Sequence, residues 1–315
     1  MTVMQSYAKS KSEQIDKFVN DLRKINNIPS PKIINDKIFL RRAYLGIVGR
    51  IPTVKESMKF LSSNKKNKRS LLIDELLSSE GYVSNWFHFW ADLVKVDSTK
   101  RNITASVYYA EWIKQALRSN MPYDLLVKNL ITATGMPHQN GATGWIASDE
   151  NMRPDHMANT VQAFLGCQIQ CAQCHDHPFD RWTQQEFYEL AAMTFGARMR
   201  MRPADYGAKK NRNRELINST TKVKDKGGPQ GAINRMINAN TVAVIGDPKV
   251  RLKYPHDYYG ENAEPGELVK PNFLFTSNRD PDPKRLRDSF AEWLTSKDNP
   301  RFSKTIANRL WKQAF

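Results

Sequence analysis

The stretch Asp155–Met193 reads DHMANTVQAFLGCQIQCAQCHDHPFDRWTQQEFYELAAM and sets a cysteine cluster between two helical patterns. Apolar spacing predicts a helix from about Asp155 to the cysteines. Pro178 ends that pattern, because the residue before a proline avoids helical geometry. Thr183 and Glu186 have the spacing of a capping box, which predicts that a second helix begins directly after the cluster. The sequence therefore predicts a CxxCH motif at the C-terminal end of a helix.

The same helical spacing continues on the N-terminal side of this stretch. The segments SEQIDKFVNDLRKI, DKIFLRRAYLGIVG, RSLLIDELLSS and YVSNWFHFWADLVKV each repeat apolar residues three and four positions apart. In IPTVKESMKFL, Thr53 and Glu56 form another capping box. We therefore predict a mainly α fold, built as a multi-helix array. The glycine-rich stretch from Gly135 to Arg153 has no period and is predicted to be a loop folded over a site.

The C-terminal third of the chain has a different composition. Residues 198–282 are rich in Gly, Pro, Lys and Asn, with TVAVIG and VRLKYP as short β-like runs. We interpret them as a long irregular, basic insertion carrying one or two short strands. Three regions are predicted: a helical domain with the CxxCH motif at 1–197, the insertion at 198–282, and the start of a truncated C-terminal helical domain at 283–315. The last helical pattern stops without a cap, so a fragment of a longer protein is expected.

Composition narrows the class of protein. The chain has 315 residues, 40% hydrophobic and 25% charged, which is typical of globular proteins. It has no run of eighteen apolar residues, so no transmembrane segment is predicted, and its opening lacks the apolar core of a signal peptide. The net charge of +16 favours an anionic partner such as an acidic polysaccharide. Basic residues are spread along the chain, so specific nucleic-acid binding is not predicted.

The three cysteines are odd in number and clustered, which indicates local chemistry and not a disulfide framework. On a helix, Cys171, Cys174 and His175 share one face. This is the pattern of covalent haem attachment, with two thioether bonds and a histidine ligand to the iron. Spacing selects no sixth ligand from the nearby candidates, which are His156, Met193, Met199 and Met201.

Three other interpretations of the cluster remain open from the residues alone. One is a non-haem Zn or Fe site made by Cys171, Cys174, His175, His177 and Asp180, whose side chains suit those metals. Another is a redox dithiol, although the helix C-terminus does not favour a thiolate. The third is a structural role, in which the cysteines pack as small hydrophobic residues and the basic surface makes the chain a polyanion-binding scaffold.

Five motifs together resemble a known family. They are RRAYLGIVGRIPTVKESMKFL, FWADLVKVDS, NGATGWIASDENMRPDHMANTVQAFLG, CAQCHDHPFDRWTQQEFYELAAM and KYPHDYYGENAEPGELV. In order and spacing they are similar to the planctomycete cytochrome-associated domain of unknown function, family 1549 (PSCyt2-like). The closing NPRFSKTIANRLWKQAF resembles the start of the family 1553 domain, which follows it in such proteins. The family's CxxCHxHPFDxW block falls on Cys171, Cys174, His175, His177, Pro178, Phe179, Asp180 and Trp182.

The resemblance implies an exported protein, periplasmic or secreted, with a redox partner or an attached cytochrome domain. The leading hypothesis is therefore an extracytoplasmic domain that binds haem c through Cys171, Cys174 and His175 and transfers electrons. A metal-dependent hydrolase or oxidoreductase is the alternative, and whether the domain is an enzyme stays open. Cys167 departs from the family pattern, so its role is specific to this chain.

Overall fold

The computed structural model describes residues 2–96, 103–149, 152–201, 242–275 and 280–314. Within these ranges the chain is mainly α-helical with two short strands, which confirms the predicted fold class. The helices are α1 Thr2–Ile25, α2 Asp36–Val48, α3 Val54–Leu61, α4 Lys68–Leu77, α5 Glu80–Leu93, α6 Ile103–Arg118, α7 Tyr123–Thr132, α8 Gly144–Ala147, α9 Arg153–Leu165, α10 Gln184–Ala191, α11 Leu286–Leu294 and α12 Phe302–Ala314.

The strands β1 Ala197–Met201 and β2 Val242–Gly246 form an antiparallel pair. Ala197 lies opposite Gly246 and Met201 opposite Val242. The predicted strand TVAVIG is therefore β2, whereas VRLKYP contributes an isolated bridge between Lys253 and Leu268. Nearly half of the predicted basic insertion, residues 202–241, lies outside the described residues.

The chain divides into two compact units, Met1–Glu75 and Leu76–Phe315. The predicted boundaries near 197 and 282 stay predictions. In the first unit the Thr53–Glu56 capping box is present, with the Glu56 carboxylate accepting the Thr53 N–H at 2.7 Å. The start of α2 is held by Asp36, which forms ion pairs with Lys68 at 2.8 Å and Arg69 at 2.7 Å.

The second unit contains a core centred on α9. Eight of the residues of α9 are buried, because its apolar and small side chains face neighbouring elements on nearly every side. The Thr183–Glu186 capping box is present at the start of α10, as predicted. The largest fully buried side chains of this unit include Tyr109, Trp145, Phe164, Trp182, Phe187 and Phe290.

The prediction that α9 reaches the cysteines is wrong. The helix ends at Leu165, and Gly166 follows with φ 66°, the left-handed conformation that glycine adopts without strain. A separate 3-10 turn spans Gln170–Gln173 and carries Cys171. The motif therefore lies on a short turn beyond a helix, not on the helix itself.

The middle of the glycine-rich stretch predicted as a loop is part of the core. Gly141–Thr143 form a 3-10 turn that leads directly into α8, and every residue of α8 is buried. A Cβ atom at Gly144 would lie 2.2 Å from Cγ of Tyr109, and one at Gly141 would lie 2.4 Å from the Tyr108 carbonyl oxygen. These glycines allow close approach to α6, so the prediction of a covering loop is wrong for residues 141–147.

No helix in the part of the chain that the structure describes has the length and apolar character needed to cross a membrane.

Candidate functional site

The CxxCH turn presents its chemistry to solvent. Cys171 and Cys174 are exposed free thiols, and the imidazole of His175 is exposed beside them. Cys167 differs, because only 3% of its surface is accessible. Burial raises the pKa of the Cys167 thiol, which keeps it protonated and unreactive. The site therefore has two accessible thiols, and the third belongs to the core.

Backbone hydrogen bonds close the turn around the motif. The Cys174 N–H donates to the Cys171 carbonyl at 3.2 Å, and the His175 N–H donates to the same oxygen at 3.4 Å. Cys171 lies within the 3-10 turn, and Cys174 is the residue that ends it. The CxxCH motif is therefore held by one tight backbone turn.

The ring of His175 is held in one tautomer. Its Nδ1 lies 2.7 Å from the carbonyl oxygen of Asp176. A carbonyl oxygen only accepts, so Nδ1 carries the proton and the lone pair is on Nε2. Histidines that bind metals are oriented in this way, by donating the other ring N–H to a carbonyl or carboxylate. His175 is therefore arranged as a ligand through Nε2.

His177 is held in the opposite way. The Phe179 N–H donates to Nδ1 of His177 at 3.2 Å, so in the neutral ring the proton is on Nε2. Its backbone N–H donates to the Trp182 carbonyl at 2.8 Å and closes the HPFDRW loop. The side chain of His177 thus stabilises the loop, and neither ring nitrogen has a free lone pair in this arrangement.

Asp180 is also engaged within the loop. Its Oδ1 accepts the Arg181 N–H at 2.8 Å, and its Oδ2 accepts Nε1–H of the buried Trp182 at 2.9 Å. The backbone hydrogen bond from Arg181, together with that from Trp182, lowers the pKa of the Asp180 carboxyl. Among the described residues, no group of three or more His, Cys, Asp or Glu side chains is arranged to hold a metal ion.

Distant residues anchor the turn to the core. Tyr259 accepts the Asp176 N–H on its hydroxyl, and Oδ1 of Asp176 accepts the N–H of Gln184 at 2.8 Å, at the start of α10. The hydroxyl of Tyr188 donates to the Gln173 carbonyl at 3.1 Å. Asp176 therefore links the turn, α10 and the segment that carries Tyr259.

Replacing Tyr259 with phenylalanine should loosen this anchor. Without the Tyr259 hydroxyl, the exposed Asp176 N–H would donate to water instead. Because water replaces the lost acceptor, we expect the free energy of unfolding to fall by only about 1 kcal/mol. Amide hydrogen exchange at Asp176 should accelerate severalfold. Tyr258→Phe is the matched control, because the Tyr258 hydroxyl donates to Asn262 at 2.6 Å and does not contact Asp176. Equal exchange in both variants would show that Tyr259 does not position the turn.

Comparison with known protein families places this site in context. A family model matches residues 14–198, which is more than half of the chain and includes the whole CxxCH turn. The chain belongs to the PSCyt2 family. Its description is "Protein of unknown function (DUF1549)", and this confirms the resemblance to family 1549 carried by the first four motifs. The fifth motif and the stretch that resembles family 1553 lie outside the matched residues and stay predictions. No curated protein and no solved structure matches the chain.

The part of the chain that matches the PSCyt2 family also contains a buried cluster of charged residues that sequence reasoning missed. Asp149 is buried and accepts three hydrogen bonds: from His156 Nδ1 at 2.7 Å, Lys95 Nζ at 2.9 Å and Asn159 Nδ2 at 2.8 Å. The His156 ring packs on Trp145, with centroids 5.6 Å apart. Lys95 lies 54 residues from Asp149, so no local pattern could indicate the pair.

The electrostatics of this cluster favour the ionised carboxylate. Burial alone would raise the pKa of Asp149, but the hydrogen bonds and charges of His156 and Lys95 outweigh it and lower that pKa. Asp149 therefore remains charged inside the core and ties the end of α5 to α9. We assign it a structural role in the PSCyt2 domain.

The candidate sixth ligands of a haem lie in different environments. Met193 is 2% exposed and packs in the core, and Met199 is partly buried against it. His156 is bound to Asp149 through Nδ1. The side chain of Met201 lies outside the described residues. Cys171, Cys174 and His175 lie on or directly beside the same turn, and none of the four candidates is assigned as their partner.

Proposed function

We propose that this PSCyt2 domain is an extracytoplasmic c-type haem-binding domain that serves electron transfer. Cys171 and Cys174 would carry the haem through thioether bonds, and Nε2 of His175 would bind the iron. The observation that carries the proposal is the tautomer of His175, whose Nδ1–H is committed to the Asp176 carbonyl at 2.7 Å. Two exposed thiols, one in the tight turn and one at its end, would provide the attachment points.

The residues present fit the group. Covalent attachment requires thiols that solvent and a maturation system can reach, and both thiols of the motif are exposed. An iron ligand requires a free imidazole lone pair, which His175 has and His177 lacks. A bound haem would supply one-electron redox chemistry.

The surroundings of the motif support a role for the protein in orienting such a group. The carbonyl of Asp176 fixes the His175 ring, and Tyr259 and Gln184 fix Asp176 in turn. Phe179 is 94% exposed at the tip of the same loop. An apolar ring left in water beside the turn is suited to cover a flat apolar face.

Export of the domain is part of the proposal, because it rests on the family resemblance and on covalent haem attachment taking place outside the cytoplasm. The proposed partners are a redox protein or an attached cytochrome domain, together with an acidic polysaccharide that the net charge of +16 would attract.

Expression of the full chain with a haem-maturation system tests the proposal. We expect a Soret band that survives acid-acetone extraction, since thioether-bound haem cannot be extracted. Cys171→Ser/Cys174→Ser should abolish the covalent band. His175→Ala should keep the haem but shift its spectrum, because the axial ligand is lost.

Two variants serve as matched controls. Cys167→Ala removes the buried cysteine, and His177→Ala removes the imidazole whose Nδ1 is occupied by the loop. Both should retain covalent haem with an unchanged Soret maximum. A colourless wild-type protein, or a band that persists in the double serine variant, would contradict haem attachment.

A non-haem Zn or Fe site in a hydrolase or oxidoreductase is the second candidate function. The loop already engages His177 and Asp180, so a metal would draw on Cys171, Cys174 and His175, and these three side chains would have to converge on the ion as it binds. Two cysteines and one histidine are the ligand set of an open catalytic zinc site. Elemental analysis that finds stoichiometric zinc or iron without porphyrin absorbance would favour this candidate.

The two remaining hypotheses for the motif predict different outcomes in the same experiments. A colourless, metal-free protein that loses both exposed thiols on mild oxidation would indicate a redox dithiol. A colourless protein whose double serine variant changes only modestly in stability would indicate a polyanion-binding scaffold.

A further inference from the structure

A cavity of about 180 Å³ lies in the second unit, between the residues that follow α10, the strand pair and the start of α11. None of the residues 171–182, which carry the CxxCH motif and its loop, lines this cavity. Its volume equals that of about six water molecules in the liquid. The cavity is therefore distinct from the candidate haem site and has the size of a small organic molecule.

Two carboxylates line the cavity, and each already has a cationic partner. Asp247 accepts a hydrogen bond from Nη2 of Arg198 at 2.9 Å. Asp288 forms an ion pair with Nε of Arg285 at 3.4 Å. The negative charges of the wall are therefore already balanced.

Two cations of the same wall have no such partner. Lys284 and Arg287 both line the cavity, and neither forms an ion pair with any residue that the structure describes. Lys284 is exposed, so water can solvate its ammonium group, whereas Arg287 is only partly accessible. The wall therefore carries an excess of positive charge, and part of that charge is shielded from water.

The environment of Arg287 favours an anion beside it. Burial lowers the pKa of its guanidinium, and the charge of Asp288 opposes this effect only in part. Arginine nevertheless stays charged in proteins. Removing a charge from water is costly unless an opposite charge and hydrogen bonds compensate for it. An anion in the cavity would supply both.

The guanidinium of Arg287 is positioned and still has donors to offer. Its Nη1 donates to the Ala133 carbonyl at 3.1 Å, which uses one of its five N–H groups. A Cβ atom at Gly246 would lie 3.6 Å from Nη2, so the strand passes close to the group. Arginine binds a carboxylate through two parallel N–H···O bonds, and enough donors remain here for that arrangement.

The rest of the wall indicates the class of anion. Met193, Ala197, Val250 and Leu286 line the cavity with apolar side chains. An inorganic anion would gain nothing from these side chains, whereas the hydrocarbon part of an organic acid would be removed from water against them. The combination of unpaired cations and apolar wall therefore favours an organic acid over a bare inorganic ion.

We propose that this cavity is a binding site for a small organic carboxylate. Arg287 would hold the carboxylate through its fork of N–H donors, Lys284 would add a second positive charge, and the apolar wall would cover the hydrocarbon part. The proposal does not depend on haem binding, because the cavity and the CxxCH turn share no residue.

Titration calorimetry on the full chain with sodium butyrate, at constant ionic strength, tests the proposal. Butyrate joins one carboxylate to a short hydrocarbon chain that fits the volume of the cavity. We expect saturable binding at one site per chain. Inorganic phosphate at the same concentration should bind more weakly, because it has no apolar part.

Two variants should weaken butyrate binding by different amounts. Arg287→Lys keeps the charge but loses the fork, so we expect the dissociation constant to rise by about tenfold or more. Lys284→Gln removes an exposed charge, so we expect a rise of about threefold. Because Lys284 is exposed, K284Q should fold normally and provides a test even if R287K is destabilised.

Lys249→Gln is the matched control. Lys249 is also an exposed lysine and follows two residues of the wall, but it does not line the cavity. K249Q should bind butyrate as the wild type does. The proposal is overturned if the wild-type protein shows no saturable binding of butyrate, or if K249Q weakens binding as much as K284Q does. Tighter binding of phosphate than of butyrate would overturn the assignment to an organic carboxylate.

Discussion

Replacing Asp149 with asparagine should lower the free energy of unfolding by about 3 kcal/mol. The carboxylate accepts hydrogen bonds from His156, Lys95 and Asn159 inside the core. An amide cannot balance the Lys95 charge or accept all three donors at once. The side chain of Lys95 is 36% exposed and can be partly rehydrated, which places the loss at the lower end of the range for a broken buried pair.

The Asp149 contribution should depend on pH with a defined sign. The pKa of Asp149 is lowered in the folded chain, so its stabilising effect is complete above the unfolded pKa of about 4. It is lost as the pH falls through the lower folded value. The difference in the free energy of unfolding between wild type and D149N should therefore be constant near neutral pH and should become smaller below about pH 4.

Urea unfolding followed by tryptophan fluorescence measures this effect, because all seven tryptophans lie in the unit Leu76–Phe315. Glu111→Gln is the control. Glu111 forms an ion pair with Arg118 at 2.7 Å, but its side chain is 60% exposed, so the loss should stay below about 1 kcal/mol. Similar losses in the two variants would mean that the buried cluster contributes no more than a surface pair.

Replacing Gly144 with alanine should also cost about 3 kcal/mol, the upper part of the range for overpacked cores. The added Cβ would lie 2.2 to 2.5 Å from Cγ, Cβ and Cδ1 of Tyr109. The ring of Tyr109 is 2% exposed, and its hydroxyl donates to the Val94 carbonyl at 2.9 Å. Relief of the clash would require α8 and α6 to move apart, because the ring is held at both ends.

The midpoint of urea unfolding, followed by tryptophan fluorescence, also measures the loss of stability in G144A. Gly246→Ala is the matched control, since it lies in the same unit as the tryptophans and a Cβ there would meet only the Arg287 guanidinium at 3.6 Å, an ordinary contact distance. Alanine loses less conformational entropy than glycine in a strand, so this variant should not lower stability. If G144A is as stable as wild type, the close approach of α8 to Tyr109 is not needed for folding.

Local chemistry made part of the fold predictable. The Thr183–Glu186 and Thr53–Glu56 boxes are predictable because the two partners of each box lie only three residues apart. The predicted end of α9 is too late, although Gly166 has the position of a C-terminal cap. Helical periodicity continues through that glycine, so the apolar pattern alone does not mark the end of the helix.

Other features depend on contacts between distant residues. Glycine occurs both in flexible turns and where two backbones pack closely, so the sequence alone predicts a loop at Gly141 and Gly144. Only the contacts with Tyr108 and Tyr109 show that these glycines serve close packing. For the candidate site, the residues Cys171, Cys174 and His175 were predictable from their spacing. The anchor from Tyr259 to Asp176 spans 83 residues and has no local pattern.

The difference in burial among the three cysteines allows their alkylation to report on the state of the protein. Alkylating reagents should modify Cys171 and Cys174 rapidly in the folded protein, whereas Cys167 should react only when the core opens. Thioether formation would consume the two fast thiols. The number of modified thiols in a mass spectrum would therefore distinguish bare, haem-loaded and unfolded molecules within one sample.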